Sequence, residues 1–114
     1  MKISVRTRDI RWTDELREQL DRTITFAVDR YGSWIDHVAV YLADLNGPRG
    51  GVDKLCQITA DLRGTRPVLI LERGDNLLAM VNRAARRLGY RIGRNIDRRR
   101  TPGAREYRKS IRAA

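Results

Sequence analysis

The segment KLCQITADLRGTRPVLILERGDNLLAMVNRAARRLGYRI, residues 54–92, decides the fold. Over residues 54–62, Cys56, Ile58, Ala60 and Leu62 alternate with Gln57, Thr59 and Asp61. A period of two puts the apolar set on one face of a strand and the polar set on the other. Arg63-Gly64-Thr65 reads as a short turn, and the apolar run that follows makes residues 66–72 a second strand. The two are expected to pair as a hairpin. At Gly74-Asp75 the period changes. Leu77, Val81, Ala84, Ala85, Leu88 and Ile92 recur at helical spacing, with Asp75 placed to cap the helix start.

Working outward, residues 2–8 alternate strictly, with Ile3, Val5 and Thr7 on one side and Lys2, Ser4, Arg6 and Arg8 on the other. This is a half-buried strand. Thr13 precedes Asp14-Glu15, a capping residue followed by acids where the helix dipole favours them. Leu16, Leu20, Ile24, Ala27, Val28 and Tyr31 then form one buried stripe, and Gly32-Ser33 ends it. Residues 35–43 read as a strand with Val38, Val40 and Leu42 inward. DLNGPRGG at 44–51 is a turn-rich loop. The order is β-α-β-β-β-α, an α+β fold with a four-stranded sheet and both helices packed on one face. Residues 1–100 form one domain, and the sequence from 101 to 114 reads as a basic, flexible tail that either orders on RNA or binds weakly without order.

Charge is divided along the chain. Residues 1–75 hold 12 Lys+Arg and 12 Asp+Glu, whereas residues 76–114 hold 12 Lys+Arg and only Asp97 and Glu106 as acids. The net charge of +10 is therefore that of the C-terminal third. A neutral body with one strongly basic end is built to dock on a polyanion. The longest apolar run, Val68-Leu69-Ile70-Leu71, cannot span a bilayer. The N-terminus lacks the continuous apolar stretch of a signal peptide. A single cysteine permits no internal disulfide, so a cytoplasmic location is expected.

On a helical wheel, Arg83, Arg87, Tyr90 and Arg94 fall within an arc of roughly 60°, opposite the apolar stripe. Arg86, Arg91 and Arg98 flank them, and Arg98-Arg99-Arg100 extend the charge. A face without intervening acids repels itself, so a partner explains it better than solvation alone. Guanidinium groups fork onto phosphate oxygens, and an aromatic among them can stack on a base or ribose. The expected RNA-binding set is Arg83, Arg86, Arg87, Tyr90, Arg91, Arg94, Arg98, Arg99 and Arg100. Gly89 and Gly93 interrupt the same helix, either admitting close backbone approach to a partner or weakening or ending the helix there. Lys2, Arg6 and Arg8 offer a weaker second basic edge. The first helix instead exposes Glu15, Glu18, Asp21 and Asp29, which should keep away from phosphate.

Enzyme signatures fail. One histidine, His37, and one cysteine, Cys56, exclude a zinc site of Cys/His ligands. Both residues, like Trp12 and Trp34, read as structural. GPRGGVDK at 47–54 lacks the Gly-Lys-Ser/Thr ending of a phosphate loop and opens no helix. No triad or carboxylate pair stands out. The expectation is a protein that is no enzyme and uses no cofactor, metal, membrane or small-molecule substrate.

Over residues 1–95 the chain resembles the ribosome hibernation-promoting factors, or ribosome-associated translation inhibitors. The resemblance is carried by IRWTDELREQL, by VAVYLADLNGPRGGVDKLCQITADLRGTRPVLI and by DNLLAMVNRAARRLGYRI, in that order and spacing. Arg87 matches a basic position of the family. Arg86 and Asn82 stand where the family has Asp, and Gly89 and Tyr90 depart from its pattern. The resemblance implies a fold similar to double-stranded-RNA-binding domains. It also implies binding to rRNA of the small ribosomal subunit in the mRNA/tRNA channel, and repression of translation under stress. The chain matches the short, single-domain form, expected to be a monomer. The alternative is a general RNA- or DNA-binding module with no ribosome specificity. A third reading is a protein-interaction adaptor working through a sheet edge or the basic face.

Overall fold

The computed structural model describes residues 1–46 and 53–100. The order is β1 (Lys2–Arg8), α1 (Asp14–Val28), a 3-10 turn (Asp29–Trp34), β2 (Ile35–Asp44), β3 (Lys54–Leu62), β4 (Val68–Gly74) and α2 (Leu77–Arg100). This is the expected β-α-β-β-β-α fold. The four strands lie side by side in chain order. β1 runs parallel to β2, because α1 carries the chain back over the sheet between them. β2, β3 and β4 are antiparallel to their neighbours.

Alternation in the sequence becomes one dry face. Val5, Val40, Ile58 and Ile70 stand in register across the four strands. Val40, Ile58 and Ile70 are buried, and Val5 packs against them from the edge. Over this face lie Leu20, Ile24 and Val28 of α1 and Met80, Ala84, Leu88, Ile92 and Ile96 of α2. Trp12 and Trp34 close the core at its margins. Cys56 is fully buried among these side chains. Burial, reinforced by the nearby Glu72 carboxylate, pushes its thiol up to about 12.

Local signals hold with small shifts. The Thr13 hydroxyl accepts from Leu16 N–H at 3.1 Å, as a cap should. At α2 the cap is Asn76 rather than Asp75: its side-chain oxygen accepts from Ala79 N–H at 3.0 Å. The fourth strand begins at Val68, two residues later than its sequence start, and runs to Gly74. Gly64 turns the β3–β4 hairpin with φ 70°, where a side chain would be strained. The 101–114 tail and the loop centre at 47–52 lie outside the described residues.

Both helix glycines mark close approach within the molecule. A Cβ on Gly89 would stand 2.5 Å from the carbonyl oxygen of Ala27, backbone that cannot swing aside. A Cβ on Gly93 would meet the Tyr31 hydroxyl at 2.5 Å, the far end of a movable side chain. Gly89→Ala should therefore destabilise the fold by about 1–3 kcal/mol, the usual cost of overpacking, despite better helix propensity. Gly93→Ala should stay within about 1 kcal/mol of the parent, because the propensity gain offsets a shift of Tyr31. Urea titration of both variants measures this; equal stability of the two would contradict the contact geometry.

The buried thiol predicts a pH dependence. Its folded pKa lies above the unfolded one, so its contribution is intact below about 9 and is lost as pH rises toward about 12. The stability difference between the parent and Cys56→Ala should accordingly shift against the parent across that window. Urea midpoints at pH 7, 9 and 10.5 read it.

Candidate nucleic-acid interface

α2 carries eight arginines and one acid, Asp97. It has three flanks. One rests on the sheet, one meets α1 at Gly89 and the 3-10 turn at Gly93, and the third hangs over β4. Since β4 pairs only with β3, its outer edge would present unpaired backbone groups. Arg83 donates from Nη2 to the Arg73 carbonyl at 3.1 Å. Arg87 donates from Nη1 to the Leu71 carbonyl at 2.7 Å, with the Glu72 carboxylate 3.5 Å away. These two members of the expected ridge are thus turned onto the β4 edge, not straight out to solvent.

The opposite edge is treated alike. Arg17 of α1 donates from Nη2 to the Ile3 carbonyl of β1 at 2.6 Å and is held by Asp21 at 3.1 Å. A guanidinium fork suits this work, since its separate N–H groups serve a carbonyl and a carboxylate together.

The remainder of the ridge is free to face outward. Arg86, Arg91, Arg94 and Arg98 are exposed, and Tyr90 is 67% exposed. The Arg94 guanidinium lies 5.7 Å from the centre of the Tyr90 ring, a cation–π contact that gives the ridge a flat, positive surface. Asp97 is exposed one turn beyond Arg94, so the ridge is not free of acids. Arg99 and Arg100 end α2, and their side chains lie outside what is described.

α1 is more mixed than its acids imply. Two of its arginines are matched internally, Arg17 with Asp21 and Arg22 with Glu18 at 3.7 Å. Phe26, however, is 90% exposed on the side of α1 away from Leu20, Ile24 and Val28. It immediately precedes Ala27, which touches Gly89, the residue before Tyr90. The signal for Phe26 is present in the sequence, as an aromatic off the apolar stripe, which a pattern of buried residues does not single out.

Among the described residues no group of three or more His, Cys, Asp or Glu could hold a metal ion. None of their helices is long and apolar enough to cross a membrane. His37 lies on the open face of the sheet, its Nε2 2.9 Å from the Ser4 hydroxyl.

No protein-family model matches the chain, and no curated relative matches it. Solved structures do. A ribosomal subunit interface protein from Coxiella burnetii superposes with a TM-score of 0.70 at 13% identity, covering 82% of this chain and 96% of that one. The N-terminal domain of Protein Y from Thermus thermophilus superposes with a TM-score of 0.63 at 24% identity, covering 82% and 93%. The likeness is one of fold.

The divided duty of the arginines is testable. Arg83→Ala with Arg87→Ala should cost about 1 kcal/mol, for two partly exposed charged hydrogen bonds, and should promote self-association through the bared β4 edge. Arg91→Ala with Arg94→Ala should change stability by under about 0.5 kcal/mol. Urea titration and analytical ultracentrifugation of the two double variants compare them directly.

Proposed function

We propose that the protein is a ribosome-associated factor without catalytic activity. It binds rRNA of the small subunit in the mRNA/tRNA channel and represses translation under stress. The observation that carries this reading is the exposed Arg86/Tyr90/Arg94 surface on a fold shared with a ribosomal subunit interface protein. The one-sided charge of the chain supports it, since only the C-terminal third carries net charge.

The mechanism is steric. The folded body fills space that mRNA and tRNA would use, and no bond is made or broken. The arginines of α2 neutralise rRNA phosphates and release counterions. Tyr90, steadied by Arg94, stacks on an exposed base or ribose. Arg98, Arg99 and Arg100 carry the contact toward the tail. Arg83 and Arg87 contribute to the field while they cap the sheet, so their removal would mix a loss of binding with a loss of stability. The protein acts in the cytoplasm, where ribosomes are.

Purified protein should co-sediment with isolated small ribosomal subunits at near-physiological salt, saturably, in the presence of excess free tRNA and duplex DNA. Neutralisation of about six phosphates gives a slope near −5 for log affinity against log salt. Arg86→Ala, Arg91→Ala and Arg94→Ala together should reduce that slope by about 3. Binding that the competitors abolish, or that ignores subunit identity, would leave a general nucleic-acid binder in its place.

A further inference from the structure

Both helices lie on one face of the sheet, and among the described residues no helix or strand covers the other, although Ala43 at its far end is fully buried. The side chains of that face are the outward members of each alternation. Arg6, Tyr41, Gln57 and Leu71 stand in register across β1, β2, β3 and β4. The composition is uneven across this face. β1 contributes Lys2, Arg6 and Arg8, all exposed. β4 contributes Leu69 and Leu71, which are 50% and 51% exposed. Tyr41 lies between the two strips, and the Arg6 guanidinium sits 5.4 Å from its ring centre.

The charge is one-sided here as well. Lys2, Arg6, Arg8 and Arg73 face outward against Asp61, at the far corner opposite His37, and Asp9, which stands 3.9 Å from Arg8 just past the end of β1. This contrasts with the rest of the body, where acids match bases. The edges of the sheet are closed to strand addition by Arg17, Arg83 and Arg87. Whatever meets this sheet meets its face.

We propose that the open sheet face is a second nucleic-acid site, distinct from the α2 ridge, that takes a short single strand of RNA. Its phosphates lie along the cationic row of β1. A base stacks on the flat surface made by the Tyr41 ring and the Arg6 guanidinium. The next base rests on the half-exposed leucines of β4. Single strands suit this face because their bases are unstacked and turn an apolar plane toward the protein, whereas a duplex hides those planes. The proposal does not rest on the ribosomal reading, because it concerns the opposite side of the molecule.

The test uses the full chain carrying Arg86→Ala, Arg91→Ala and Arg94→Ala, which removes the exposed α2 arginines, and a fluorescently labelled ten-nucleotide uridine RNA followed by anisotropy; further substitutions are compared in that background. Tyr41→Leu keeps an apolar side chain of similar bulk but removes the π face, and should weaken binding about tenfold, as for loss of one stacked base. Tyr41→Phe should bind like the parent. Arg6→Glu with Arg8→Glu should weaken it further and flatten its salt dependence. Backbone amide shifts of the unmodified protein give a second reading free of folding effects: signals of β1 and β2 should move on titration with the oligonucleotide. Shifts confined to α2 and residues 101–114, or Tyr41→Leu binding within twofold of the parent, would overturn the site. The measurement contains no ribosome, so failure to co-sediment with the small subunit would leave it standing.

Discussion

The closeness of the two helices at Ala27 and Gly89 governs the rest of the structure. A sheet of four strands that buries one face needs a continuous cover, and here two helices supply it. They cover it fully only if they touch, and backbone meets backbone at that point. A side chain at Gly89 would hold α2 away from α1 and push it sideways across the sheet. Its flank arginines would then lose their reach to the β4 carbonyls. The position of the exposed ridge is set by the same contact, since α2 cannot rotate without moving Gly89 off Ala27.

Much of this was legible in the sequence. Strict alternation at residues 2–8 and 54–62 made strands with the right residues inward, and the apolar stripes of both helices supply the core, except that Leu16 stays outside it and Tyr31 reaches it from the 3-10 turn, since α1 ends at Val28. Those are local patterns, and each residue's neighbours in the chain suffice to fix them. What was not legible depends on reach. A wheel gives the direction in which Arg83 and Arg87 leave the helix, but these side chains are long enough to bend toward the nearest acceptor, and the β4 edge offers carbonyls that only the tertiary fold brings close. The purpose of Gly89 was open for the same reason: close approach needs a second surface, and the sequence does not say whether that surface is a partner or α1. The shift of the cap from Asp75 to Asn76 has a simpler cause, because both are good caps and one residue of strand length decides between them.

Arginine serves two ends in this molecule, and the fold keeps them apart. Arg17, Arg83 and Arg87 act inward, on backbone and carboxylates. Arg86, Arg91, Arg94 and Arg98 act outward. A net charge of +10 is therefore an incomplete measure of what a polyanion would meet. The acids of the body neutralise locally, through pairs such as Arg63 with Asp36 at 2.9 Å, and leave the field of α2 little opposed.

The parallel pairing of β1 with β2 has a further consequence for how the chain reaches this state during synthesis. Of the four strands β1 leaves the ribosome before the others, but Lys2 pairs with His37, so the strand has no partner until α1 and β2 have both emerged. The β3–β4 hairpin closes through a short local turn and has no such delay once its residues appear. Through that wait, charged and hydroxylated residues at every second position keep β1 soluble, and its lone apolar side chains, Ile3 and Val5, are too few to recruit another chain. The earliest of the four strands is thus the one best suited to being left unpaired.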